Sequence, residues 1–346
     1  MLDKILLDDF EEIFNNKKIK WKVLKNKTIL ITGANGFIAS YIIYFLIFLN
    51  QKYNFRIKII LIGRNKKKLN KKFINKNTKK NFILIEQDVC SNISIKEKID
   101  FIMHLASIAS PKIFFKKPIE TILPNVIGTN ELLKLSIKKK VKSFLFFSSG
   151  EIYGNHNKIL KENTINNLNH LTERAPYSES KRMGEVLCYS YFKQKKIPVK
   201  IIRLFHTYGP CMNLNDGRVM MDFVNNIVNQ KNILIKGTGN QKRSFCYISD
   251  AVIGIFLVLI NGQNGEAYNL GNPKELLSIK KLANLLSKYN NKISVKLNSK
   301  LNSHKKKAPY QTVVPEIKKI SRLGFSPKIN VKKGFKKTIN YFKPIL

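Results

Sequence analysis

The sequence predicts an α/β protein built on a doubly wound parallel sheet, with a smaller second unit. Three observations predict it. Short apolar, β-branched runs alternate with helical stretches from residue 28 to residue 204, the signature of a sheet covered on both faces. A glycine-punctuated turn follows the first run directly. The last third has short elements in a looser rhythm, as expected of an appended domain.

Taken in order, residues 1–26 alternate apolar and charged positions at helical spacing and predict a peripheral helical extension. Strands are predicted at Thr28–Thr32, Ile57–Ile62, Phe82–Ile85, Phe101–Leu105, Ser143–Phe147 and Val199–Leu204, each short and apolar. Helices are predicted at Ala39–Leu49, Pro124–Ile137 and Ser178–Lys193. Residues 27–205 and 235–262 are assigned to a dinucleotide-binding unit, and 206–234 with 263–346 to a substrate-binding unit.

At 346 residues, with 44% hydrophobic and 10% aromatic residues, the chain can bury a sizeable core. The net charge of +41 raises a nucleic-acid reading, because basic surfaces collect phosphate. Against it, the lysines are scattered in runs such as Lys66–Lys68, Lys138–Lys140 and Lys305–Lys307, beside Asn and Ile, and no zinc-finger, basic-zipper or RNA-binding aromatic signature appears. No specific nucleic-acid partner is expected, only weak adhesion to polyanions at low salt. Cys90, Cys188, Cys211 and Cys246 are widely spaced and read as reduced, cytoplasmic thiols. The longest apolar run, Phe37–Leu49, is short of the roughly 20 residues of a membrane span. Acids at Asp3, Asp8, Asp9, Glu11 and Glu12 do not fit a signal peptide. The histidines His104, His156, His170 and His206 lack metal spacing, so no metal is expected.

The turn after the first strand reads Thr32-Gly33-Ala34-Asn35-Gly36-Phe37-Ile38-Ala39. Gly33 permits the tight turn, Gly36 admits a pyrophosphate to the backbone, and the helix start supplies positive potential. A lone glycine pattern is weak, but strand before and helix after are its confirming context. The expected fold is therefore Rossmann-type. An acid at the end of the second strand would hold the ribose 2′-OH of NAD, and an Arg would suit the 2′-phosphate of NADP. This chain has Gly63-Arg64, so NAD is expected with NADP open. Asp88-Val89 after the third strand places Asp88 near the adenine amino group.

Tyr177 and Lys181 lie four apart at the start of a helix and share a face. An ammonium beside a phenol favours the phenolate, making Tyr177 a base for a sugar hydroxyl. Ser148-Ser149-Gly150-Glu151 follows a strand at its carboxyl end, where α/β sheets place ligands. Ser149 can share a hydrogen bond with the phenol, and Glu151 adds a second acid or base. YxxxK alone is common; with the fingerprint and the strand-borne serine it reads as catalytic rather than as a Tyr packed under a surface Lys.

With these residues in place the chain resembles the extended short-chain dehydrogenase/reductase family of nucleotide-sugar epimerases and dehydratases. The carrying blocks are ITGANGFIAS (31–40), HLASIASP (104–111), NVIGT (125–129), FFSSGEIYG (146–154), YSESK (177–181), RLFHTYGP (203–210), DGRV (216–219) and RSFCYISD (243–250). Within that family the flanking blocks resemble the UDP-glucuronate decarboxylases. The resemblance implies that Tyr177 deprotonates the sugar C4 hydroxyl as hydride leaves, with Lys181 orienting the ribose and Ser149 the hydroxyl. It places Leu105, Ala106, Ser107, Asn125 and Ser148 at the cofactor. It places Ser110, Pro111, His206, Arg218, Arg243 and Tyr247 at a nucleotide-sugar, UDP-linked by the same token. Dimerisation through a four-helix bundle of Asn125–Lys139 and Tyr177–Lys193 is also implied.

The chain departs from the decarboxylase pattern at four places. Gly150 stands where a Ser precedes the Glu, Phe114 where a Tyr is expected, and His206 replaces an Asn. No Arg occurs in Tyr310–Ile317 to grip a carboxylate, leaving Lys112 or Lys305–Lys307 as stand-ins. Three reactions share the 4-ketone: decarboxylation, 4-epimerisation and 4,6-dehydration. The loop lacks the Asp of an Asp-Glu dehydratase pair, and Glu151 counts against simple epimerisation, so decarboxylation leads. A non-catalytic dinucleotide sensor is the rival from another class, disfavoured by Ser149, Tyr177 and Lys181.

Overall fold

A computed structural model describes residues 3–154, 158–165, 168–290, 292–298 and 312–343. Seven strands form the central sheet: β1 (Thr28–Thr32), β2 (Lys58–Gly63), β3 (Phe82–Glu86), β4 (Phe101–His104), β5 (Ser143–Ser149), β6 (Val199–Leu204) and β7 (Ala267–Leu270). Their order is β7-β6-β5-β4-β1-β2-β3, and every pairing is parallel. Side chains alternate faces along each strand. Ile29 and Ile31 therefore enter one core with Tyr41, Phe45 and Leu46, while Leu30 enters the other with Leu132, Leu133 and Cys188. The first core holds helix α2 (Phe37–Tyr53) and the second holds α4 (Thr129–Lys139) and α5 (Ala175–Lys195). Between them in sequence, α3 (Lys66–Phe73) connects β2 to β3.

The strand order reverses between β1 and β4, which opens a crevice at the carboxyl ends. Over it lies a smaller unit: strands Lys242–Ser244, Leu276–Ser278, Thr312–Pro315 and Ile159–Leu160 in one sheet, with Ile233–Lys236 paired to Val295–Asn298.

Three expectations need correction. The last third is not wholly apart, because Ala267–Leu270 completes the main sheet against β6. Helix 124–137 is extended backwards to Pro118 through a single π-helical turn, Pro124–Gly128. The N-terminal segment, α1 (Lys4–Phe14), is not peripheral. Its Leu6, Phe10 and Ile13 are buried in the first core. Its Asp9 is fully buried and accepts from Tyr41 Oη at 2.9 Å and Tyr247 Oη at 2.7 Å. The ammonium of Lys337 on α6 (Val331–Phe342) completes that cluster. Amphipathic spacing registered the helix, but not a charge turned inward. No helix among the described residues is long and apolar enough to cross a membrane.

Candidate active site

The site is assembled from loop ends that the parallel sheet brings to one edge. At the end of β1, Gly33 has φ +68°, and a Cβ there would stand 2.6 Å from Leu105 O, so only glycine fits both the turn and the close approach. Gly36 N donates to Gly33 O at 2.8 Å, and Gly36 caps α2. Thr32 Oγ1 accepts from Ala106 N at 3.1 Å and bonds His104 Nδ1 at 2.8 Å. His104 Nε2 lies 3.1 Å from Pro124 O. Burial pushes its pKa down to about 3, so it serves as a neutral strut.

From β5, Ser149 Oγ accepts from Glu151 N at 3.2 Å. Between them Gly150 backs onto Phe205, whose ring carbon would be 2.7 Å from an added Cβ. That explains glycine at the first departure. Opposite, α5 carries Tyr177, 7% exposed, its ring stacked on Phe114 at 5.4 Å and 5°. Phe114 thus supports the phenol as a fully buried ring, where a hydroxyl would need a partner. Burial and then the Glu151 charge push the phenol up to about 12, while the Ser149 hydroxyl, Arg218 and Arg174 pull the other way. Lys181 does not draw the phenol down as expected. Its ammonium is itself buried, donates to Phe147 O at 2.6 Å, and is pushed down to about 7 by that burial.

Gly33, Gly36, Ser149, Gly150, Glu151, Tyr177 and Lys181 line one cavity of about 1270 Å³, together with Asn35, Phe37, Ile38, Ser107, Ser110, Pro111, Ser148, His206, Arg218 and Arg243. Ser110 Oγ donates to Asp216 O at 2.6 Å, tying the loop after β4 to the smaller unit. Asp216 in turn pairs with Arg218 at 2.5 Å. His206 is held neutral by burial, with neighbouring arginines adding to the effect. Six expected residues lie outside the lining. Asn125 is wholly buried behind it, donating to Ser180 Oγ at 3.0 Å and Thr121 O at 2.9 Å. Val89 packs under Gly128, and Ala106 contributes its amide to Thr32. Arg64 and Asp88 sit at the ends of β2 and β3, Asp88 accepting from Cys90 N at 2.9 Å. Tyr247 is a correction: its hydroxyl is spent on Asp9 in the core, so it cannot reach a ligand.

Sequence reasoning missed Arg174. Its guanidinium bonds Glu151 at 2.7 and 3.3 Å and lies over the rings of Phe114 and Phe115 at 5.6 and 5.8 Å. The only local signal was its place three residues before Tyr177. In the stretch expected to hold a carboxylate-binding Arg, Thr312 and Val313 do face the cavity. Residues 305–307, 310 and 311 fall outside the described residues, as does His156.

The β1 turn fits a dinucleotide: a Cβ-free cradle, a helix start, and buried Ser107 and Ser148 hydroxyls without a protein partner among the described residues. A model of the NAD dependent epimerase/dehydratase family matches residues 29–271. The chain belongs to this family. It is 33% identical to UDP-glucuronic acid decarboxylase 1 of Xenopus tropicalis, over 97% of this chain and 78% of that one. It is 34% identical to UDP-glucuronic acid decarboxylase 3 of Arabidopsis thaliana, over 89% and 87%. Among solved structures, UDP-glucuronic acid 4-epimerase of Bacillus cereus, bound to UDP-glucuronic acid and NAD, superposes with a TM-score of 0.74. That match covers 92% of this chain and 100% of that one at 25% identity. The epimerase/dehydratase family is enzymatic, and its fold is the one described above.

Proposed function

We propose that the protein removes the carboxylate of a nucleoside-diphosphate-linked hexuronic acid, of the UDP-glucuronate class, through a transient 4-ketone. The observation that carries this reading is the Arg174–Glu151 pair beside Tyr177 and Ser149 in a cavity shared with the β1 turn. Arg174 supplies the cation that Thr312–Pro315 lacks. A substrate carboxylate competes with Glu151 for its planar fork, which suits such an anion better than a lysine would. Arg218 and Arg243 line the part of the cavity formed by the smaller unit and suit a diphosphate.

The dinucleotide, when bound, supplies a reversible acceptor for the C4 hydride, so no external oxidant is consumed. Tyr177 takes the proton of the C4 hydroxyl in its ionised form, which the Ser149 hydroxyl, Arg218 and Arg174 favour against the effect of burial. The ketone so formed is β to the carboxylate. The C5–C6 bond breaks, its electron pair passes into the ketone as an enolate, and carbon dioxide leaves. Reprotonation at C5 and reversal of the first step give the pentose. The curated relatives named for this reaction support the choice over epimerisation, and the lack of an Asp beside Glu151 speaks against dehydration.

Purified protein incubated with UDP-glucuronate and either dinucleotide, followed by product mass, tests the reading. Loss of carbon dioxide is expected; an isomer of unchanged mass or loss of water would overturn it. Tyr177→Phe is expected to cut turnover by about 10²–10⁴-fold, the usual scale for a lost general base, and turnover within a few-fold of the parent would defeat the mechanism.

Two further parts belong to this proposal. The protein pairs with a second copy through α4, α5 and the turns preceding α4, whose packed helices leave Ile119, Leu123, Ile127, Met183, Val186 and Tyr189 exposed. Four free thiols fit the cytoplasm.

A further inference from the structure

We propose that the adenosine end of this cleft selects a dinucleotide carrying a 2′-phosphate, and that Arg64 is the residue that selects it. The inference rests on the dinucleotide fit of the β1 turn and is independent of which sugar the other end takes.

The register of β1 with β2 pairs Thr32 with Ile62, which sets Gly63 level with Gly33 at the edge of the sheet. This is where the adenosine ribose crosses the end of the second strand, and where a carboxylate would accept from its 2′-OH. Here that position has no side chain. It is also tight, since a Cβ on Gly63 would meet Leu69 Cδ1 at 3.0 Å. A ribose hydroxyl therefore finds no acceptor at the place that discriminates for it.

The two acids nearby are turned to other work. Glu86 lies one strand further out, opposite Gly63 in the register, and accepts from Lys66 N at 3.0 Å. Asp88 accepts from Cys90 N. Arg64 follows Gly63 directly. It is exposed and has no ion pair among the described residues. Behind it Asn65 caps α3 by accepting from Lys68 N at 2.7 Å, and Lys66, Lys67 and Lys68 are all exposed. A planar guanidinium flanked by that field matches a phosphate dianion and offers nothing to a neutral hydroxyl.

The test is direct binding to the full chain after charcoal treatment to remove carried-over nucleotide. Calorimetric titrations compare NADP⁺ with NAD⁺, and 2′,5′-ADP with 5′-ADP. NADP⁺ is expected to bind at least about tenfold tighter than NAD⁺, the scale of a charge-assisted hydrogen bond, with the same ratio between the two shorter probes. Arg64→Ala brings both ratios close to one and leaves NAD⁺ affinity as it was. Gly63→Asp inverts the preference, because the new carboxylate repels the phosphate and accepts from the hydroxyl; Leu69 can yield, since only the end of its side chain is in the way. NAD⁺ binding as tightly as NADP⁺ in the parent would overturn the proposal. So would ratios unmoved by Arg64→Ala, or no dinucleotide binding at all. Tighter NADP⁺ binding with no turnover of UDP-glucuronate would sink the sugar reading and leave this one standing.

Discussion

Tyr177 and Lys181 show how burial rather than pairing governs the reactive groups of this protein. Both are drawn toward their neutral forms, the phenol up to about 12 and the ammonium down to about 7, because each loses water on entering the helix–sheet interface. The consequence for Lys181 can be measured. Its folded pKa lies below the ordinary 10.5, so between about pH 7 and 10.5 the unfolded chain holds a proton that the folded state has released. Stability from this group therefore rises with pH across that window, and the full cost of burying the charge is felt below it. Thermal unfolding of the parent and of Lys181→Met, scanned from pH 6 to 10, is expected to show the parent gaining on the variant as pH rises. A gap independent of pH would mean that Lys181 keeps its proton throughout. The YxxxK spacing identified the pair and its common face. It carried no information about solvation, which depends on strands and loops elsewhere in the chain.

At the level of elements, the six strands read from sequence all exist, Thr28–Thr32 and Val199–Leu204 with the expected bounds and the other four with ends displaced by a residue or two. Their uniform apolarity is what a sheet buried on both faces requires. β7 escaped because Ala267–Leu270 is short and polar at Asn269, whose side chain is satisfied by Tyr153 and Leu160 O. The π-helical turn at Pro124–Gly128 was equally silent, since such a single-turn bulge has no residue signature of its own. Loop residues were legible where their type was chemically constrained: Gly33, Gly36, Ser149, Glu151. Arg174 was not, since arginine at a helix start is unremarkable until Glu151 and Phe114 are seen around it. The exposed apolar face of α5 yields the prediction proper to this scale. Sedimentation or light scattering is expected to give a dimer for the parent. The double variant Met183→Glu, Val186→Glu should run as a monomer, charges in an apolar interface core being costly. A parent that is already monomeric would remove the bundle from the proposal.

For the molecule as a whole, the cluster around Asp9 joins four parts that sequence alone kept separate: the N-terminal helix, α2 of the sheet layer, the short strand Cys246–Tyr247 and α6. Burial raises the pKa of Asp9, opposed by Lys337 and the two phenols. Removing the carboxylate with Asp9→Ala leaves two buried tyrosine hydroxyls without their acceptor and Lys337 with only Glu12, at 3.8 Å. It is expected to cost about 3–5 kcal/mol, read as a lower urea midpoint, with turnover per folded molecule preserved because the cleft is untouched. A midpoint unchanged within error would show that the cluster is incidental. Such contacts have no local periodic trace, which is why a helix read as peripheral proved to be built into the core. The partners Asp9 and Lys337 are 328 positions apart in the chain. During synthesis, then, the Asp9 cluster cannot close until the helix carrying Lys337 has been made. Until that moment the helix is held by apolar contacts alone, Phe10 lying against Tyr41, Phe45 and Phe48, while Asp9 sits among them without its cation, a delay in which the segment stays open to holdase chaperones or to neighbouring nascent chains.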